Sequence, residues 1–132
     1  MNEANRFANR DILLRAPVRR FKVLDIPGWG RFRIRSISEL ERSRFEASIR
    51  DKHGNVSPTK LIDLKCRLIV LCVVDVDGNP LLTNSDIEQL RQQDSRYTNA
   101  LVDAIQEHCG ITDTDFEDLE KNCEATSGAA SP

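Results

Sequence analysis

The sequence predicts an α+β fold, mainly helical, with about five helices and two short β-hairpins. Three stretches carry that expectation. Ser57 to Leu82 holds the longest apolar run in the chain. Arg20 to Ile37 alternates apolar and polar residues around a Pro27-Gly28-Trp29-Gly30 turn, and Asp94 to Gly110 places apolar residues at helical spacing. A chain of 132 residues, 39% hydrophobic and 30% charged, fills one core. The composition sets a single domain over residues 19–121, between a flexible N-terminal segment, 1–18, and a disordered tail, 122–132.

In chain order, Asp11 is placed to cap a short turn, Ile12 to Arg15, which stops before Pro17. Arg20 to Ile26 alternates in part. After the turn, Phe32, Ile34 and Ser36 fall on one face of a strand and Arg31, Arg33 and Arg35 on the other, which makes a hairpin. Ser38 and Glu41 match the S-x-x-E capping box. The helix that follows turns Leu40, Phe45 and Ile49 inward, and ends before the Asp51–Asn55 loop.

Ser57-Pro58 opens the central helix with proline in its first turn. Leu61, Leu64, Leu68, Leu71 and Cys72 form one stripe. Lys60, Asp63 and Arg67 fall opposite, with Asp63 four residues before Arg67 and so spaced to pair with it. From Ile69 the run is apolar all round, which requires full burial. Val73, Val74 and Val76 with Asp77-Gly78 then turn it into a second hairpin, ending at Leu82. Thr83 or Ser85 caps a short helix through Ile87 and Leu90. Asp94 or Ser95 starts another, with the stripe Tyr97, Ala100, Leu101, Ala104, Ile105 and His108, and Gly110 ends it. Thr112 caps a last helix, held to the core by Phe116 and Leu119.

Little of this is chemistry. The net charge of -2 offers no general field for a phosphate backbone, so nucleic acid is not an expected partner. Residues 1–10 lack the apolar core of a signal peptide, and no apolar run reaches a membrane span, so a cytoplasmic protein with no membrane partner is expected. Four cysteines without C-x-x-C spacing read as reduced thiols, with Cys66 and Cys72 buried. His53 lies in a polar loop and His108 at a helix C-terminus. Asp75-Val76-Asp77-Gly78-Asn79 fails the calcium-loop spacing in either register and reads as a tight turn. No catalytic residue, metal ligand or cofactor is expected, and the chain reads as an interaction domain rather than an enzyme. Trp29, the one tryptophan, is either an anchor for a partner or a cap on the core; the row Arg31, Arg33 and Arg35 is a basic strand face.

Three blocks, in order, resemble the tail assembly chaperones of long-tailed, siphovirus-type bacteriophages. The block D-I-P-G-W-G-R-F-R-I-R-S-I-S-E-L-E-R-S-R-F-E-A-S, residues 25–48, is similar to that family's P-x-W-G turn, alternating strand and E-R-x-x-F-E helix. The block C-R-L-I-V-L-C-V-V-D-V-D-G-N-P-L-L-T-N-S-D-I-E-Q-L, residues 66–90, resembles its V-D-x-D-G region, and A-L-V-D-A-I-Q-E-H-C-G-I-T-D-T-D-F-E-D-L-E-K-N, residues 100–122, its closing helices. Leu82 stands where the family usually has Phe, and Cys109 where it usually has Asn.

The resemblance implies a non-virion protein of virion assembly in the bacterial host cytoplasm. It implies binding to the tape measure protein, a long apolar helical chain kept soluble by the chaperone, and recruitment of tail tube protein, which displaces the chaperone. It leaves room for weak self-association. The expected docking residues are Trp29 and Phe32, with Arg31, Arg33 and Arg35 meeting acidic groups of the partner. The alternative is a virion structural component of the tail or head–tail connector, and a third class is a small metal or redox enzyme.

The family also makes a longer product by ribosomal frameshifting, and Glu120-Lys121-Asn122 can be encoded GAA-AAA-AAC, which contains the slippery heptamer A-AAA-AAC. With that coding, expression yields a second, longer product detectable by immunoblot. Synonymous recoding of Lys121 and Asn122 to AAG-AAT removes it, and an unchanged ratio of the two products rules out this shift site.

Overall fold

The computed structural model describes residues 7–112 together with Asp115 and Asp118. Its elements are α1 (Arg10–Leu13), β1 (Phe21–Ile26), β2 (Gly30–Arg35), α2 (Glu39–Ser48), α3 (Pro58–Ile62), α4 (Leu64–Cys72), β3 (Val73–Val74), a 3-10 turn (Asn84–Asp86), α5 (Ile87–Leu90) and α6 (Ser95–Cys109). The fold is α+β and mainly helical, with one three-stranded antiparallel sheet in the order β1-β2-β3. The expected closing helix beyond Thr112, with Phe116 and Leu119, lies outside the described residues, as do Lys121, Asn122 and the tail. At its start, Asp115 Oδ2 accepts from the Thr112 amide at 2.8 Å and the Asp115 amide donates to Thr112 Oγ1 at 3.2 Å.

The first hairpin forms where alternation placed it. β1 and β2 pair from Phe21↔Arg35 to Ile26↔Gly30, leaving Pro27-Gly28-Trp29 as the loop. Trp29 N donates to Ile26 O at 3.0 Å and Gly28 sits at φ +85°, a turn that needs glycine in its third place. β3 then pairs with β2 through Arg33↔Val74 and Ile34↔Val73. The second hairpin is short. Leu81 N donates to Val73 O, Val74 bridges Pro80, and one Asp75 carboxylate oxygen accepts from the amides of Asp77 (2.9 Å) and Asn79 (3.0 Å). The Asp75 side chain therefore holds the turn itself, as short acidic side chains do.

α2 begins at the expected capping box: Ser38 Oγ accepts from the Glu41 amide at 3.1 Å, and Glu41 Oε1 accepts from the Ser38 amide at 2.9 Å. Arg19 locks the same carboxylate with a two-point ion pair of 2.8 and 3.1 Å, tying the approach to β1 onto the start of α2. Burial pushes the Glu41 carboxyl up, and the bonds to Arg19 and Ser38 outweigh it and hold it down.

Several expectations need correction. Asn9, not Asp11, caps the first helical turn, with its side chain accepting from Ile12 N. Leu40 is 58% exposed, because the first turn of α2 lies over the capping box rather than the core; Phe45 and Ile49 do face inward. Ala100 is exposed, and Val102 and Gln106 join Leu101 and Ile105 in the buried stripe of α6. Asp94, rather than Ser95, caps α6.

The largest correction concerns the central helix, which breaks at Asp63 into α3 and α4. Asp63 is not on a solvated face. It is 6% exposed and takes both Nε and Nη2 of Arg91, at 2.5 and 2.6 Å, instead of Arg67. A buried carboxylate needs such a two-point partner to offset its lost hydration. Arg91 ends α5, so the pair pins α5 against the start of α4.

Beyond the break, α4 is the buried centre. Leu64, Cys66, Leu68, Ile69 and Cys72 are all buried, and α6, α5, α2 and α3 pack on it. Ile34 and Ile49 reach it from the sheet and from α2. Burial pushes the Cys66 thiol up, and the hydrogen bond to Cys109 together with burial pushes Cys72 up, so both thiols are poor nucleophiles in the folded chain.

Bonding to Arg91 holds the Asp63 carboxyl below its ordinary value against the opposing effect of burial. A carboxyl lowered by folding adds stability above its unfolded pKa, about 3.9, and that stability is lost as the pH falls through the folded value. Asp63→Ala therefore costs about 2 kcal/mol at neutral pH, since Arg91 keeps partial access to water. Urea denaturation across pH checks this: the gap between parent and variant narrows below about pH 4.

Candidate functional site

The loop of the first hairpin carries Trp29 back over the protein. Its ring stacks on Tyr97 of α6, with centroids 5.7 Å apart and planes 12° off parallel. It also meets Phe32 at 4.8 Å with a 52° tilt. Both geometries are favourable for aromatic pairs. The turn is built to allow this approach: a Cβ on Gly28 would lie 2.6 Å from the Tyr97 hydroxyl oxygen. Trp29 is half-buried and packs on the core while keeping one part of the ring in solvent. The ring caps the core, as one of the two expectations had it.

Trp29 and Phe32 line a groove of about 300 Å3. Ile69, Val73 and Leu101 bring core side chains to it, Leu81 and Leu82 come from the end of the second hairpin, and Leu90 from α5. Its polar lining is Asp86, Gln89 and Gln93. An apolar lining open to water with a few polar groups at the edge suits an apolar helix or loop rather than a charged small molecule.

The arginine row does not share this groove. Alternation along β2 sends Phe32 to one face and the three arginines to the other. Arg31 pairs with Asp25 across the strands at 3.5 Å, with both side chains exposed, a contact of little energy. Arg33 places its guanidinium 4.2 Å from the centroid of Phe21 and donates to Val76 O. Arg35 is largely buried; its Nε donates to Leu71 O at 3.0 Å, and it lies 3.6 Å from Glu41. Arg33 and Arg35 thus hold the second hairpin and the end of α4 in place.

Leu81, Gln89 and Gln93 line the groove and Tyr97 stacks on its Trp29, and none was singled out for a site by sequence reasoning. Only Tyr97 carried a signal, as the one aromatic on the α6 stripe. The histidines take no part. His53 is exposed, and His108 Nε2 lies 3.1 Å from Arg20 O while Arg20 Nη2 donates to His108 O. Among the described residues no group of three His, Cys, Asp or Glu side chains is placed to hold a metal. Compared with known proteins, the chain matches no protein-family model, no curated protein and no solved structure.

Gly28→Ala is expected to destabilise the fold by about 2 kcal/mol, from the positive φ and the contact with Tyr97 together. Trp29→Ala costs a similar amount, about 2 kcal/mol, through two ring contacts and half its burial. Thermal and urea unfolding measure both, and a loss under about 0.5 kcal/mol for either would show that the turn does not depend on the aromatic stack.

Proposed function

We propose that this chain is a phage tail assembly chaperone that binds the tape measure protein, keeps it soluble in the host cytoplasm and helps recruit tail tube subunits. The observation that carries the docking part is the groove of Trp29 and Phe32. It is apolar, opens to solvent and is edged by Leu81, itself 54% exposed. Such a groove receives the apolar face of a helix at i, i+3, i+4 spacing. The three sequence blocks supply the client, since the protein class they resemble serves a long apolar helical chain that aggregates when bare.

A groove rather than a deep pocket suits the task. The client must be covered along its length and then surrendered to tube subunits, which favours short residence and repeated weak contacts. No catalysis, metal or cofactor enters this reading. No helix among the described residues is long and apolar enough to cross a membrane.

One observation favours the second reading, a structural component of the virion. Among the described residues β1 is a sheet edge: it pairs with β2 on one side only, and Phe21 and Val23 are 40% and 52% exposed. Unpaired edges support strand addition between subunits.

Co-expression with the tape measure protein separates the readings. As a chaperone, the chain raises the soluble fraction of that protein and co-purifies with it. Leu81→Glu lowers the affinity about tenfold, as loss of an apolar contact in a docking groove does, and leaves the circular dichroism spectrum unchanged. Elution of the isolated chain as a ring of six or more copies, with no gain in client solubility, supports the virion component instead.

A further inference from the structure

We propose that a second groove, where Arg44 and Arg67 lie beside Phe45, Leu71 and Leu82, receives a glutamate or aspartate side chain carried on an apolar helix of a partner protein. The groove is larger than the first, about 440 Å3. Its charge is unbalanced for a local reason. Arg67 is spaced to pair with Asp63, but both oxygens of Asp63 are taken by Arg91. Among the described residues Arg67 has no ion pair, and its Nε is closed off from water with no acceptor. A buried donor without an acceptor is rare in folded proteins; because this Nε is itself enclosed, a partner meets Arg67 through the part of the side chain that lines the groove.

The other groups add to the imbalance. Arg44 is exposed and unpaired among the described residues. Glu41 also lines the groove, but it is paired with Arg19 and with Arg35, so it leaves Arg44 and Arg67 without a counter-charge. What remains is a set of guanidinium groups above an apolar floor. A carboxylate on a short aliphatic stem fits both parts: methylenes on the floor and oxygens in the guanidinium fork. A phosphate backbone fits poorly, because the chain carries a net charge of -2 and the floor is apolar. Leu82 lines both grooves, so one helix lying across residues 80–84 can place its apolar face against Trp29 and a carboxylate among the arginines. The proposal stands apart from the identity of the client, since its test uses a synthetic partner.

The test titrates the full chain with a synthetic amphipathic helical peptide of alanine, leucine and glutamine carrying one central glutamate, and with the same peptide carrying glutamine there. Nuclear magnetic resonance of the arginine Nε–H groups reads the site. The glutamate peptide is expected to shift the Arg67 Nε–H signal and to bind at least tenfold more tightly than the glutamine peptide. R67Q removes that preference. R44E, on an exposed position that does not affect folding, removes it too, while Leu81→Glu weakens both peptides equally. Equal binding of the two peptides, an unmoved Arg67 signal, or displacement of the glutamate peptide by a single-stranded oligonucleotide would each overturn the assignment.

Discussion

Enclosure of Leu64, Cys66, Leu68, Ile69 and Cys72–Val74 governs this molecule. Leu68, Ile69, Cys72 and Val73 are at most 2% exposed, and no single neighbour could cover all of them. A helix whose last turns are apolar all round must be wrapped, and here α6, α5, α2 and α3 share that task with Ile34 of the sheet. At Val73 the chain leaves the helix and joins β2 as a third strand, so the buried run ends inside the sheet instead of at the surface. The helix and the strand share one core, with Ile34, Ile49 and Ile105 as its fully excluded neighbours.

That enclosure explains the charged pairs at its edges. Where α3 meets α4, the backbone turns at Asp63, and the carboxylate is carried inside with the apolar residues around it. Arg91 reaches it from the end of α5 and neutralises it with two bonds. Arg35 plays the corresponding part at the other end of α4, donating to the Leu71 carbonyl that the helix end leaves open. Both arginines have been drawn into the scaffold, whereas Arg44 and Arg67, which line the groove beside residues 80–84, have no ion pair among the described residues.

The same segment separates the two grooves. Leu82 is common to both, Leu81 faces outward, and Pro80 bridges Val74, which anchors the segment to the sheet. Covering a buried helix with short elements leaves gaps between them, and here the gaps lie side by side. One is aromatic and aliphatic; the other is cationic over an apolar floor. A partner with an amphipathic helix meets complementary chemistry at each.

Local grammar was legible without coordinates. The capping box at Ser38 and Glu41, the cap at Asp94, the turn at Pro27-Gly28 and the alternation along β2 depend on neighbours within a few residues, and each formed as the spacing required. The burial of Ile69, Cys72, Val73 and Val74 followed from the absence of a polar face after Ile69, whereas Val70 and Leu71 are only partly covered. Trp29 and Phe32 could be named as a pair of aromatics only by proximity in sequence, while Tyr97, which completes the stack, lies more than sixty positions away on another element. Pairing across such distances is decided by packing, which no local period encodes. The same reason sent Asp63 to Arg91 instead of Arg67: the i, i+4 rule assumes a continuous helix in water, and burial broke the helix and selected a partner able to bind both oxygens. The sequence alone thus determined which segments become helix, strand and turn, through interactions of short range. Tertiary structure alone decided which side chains meet, and therefore which arginines among the described residues were left without an ion pair.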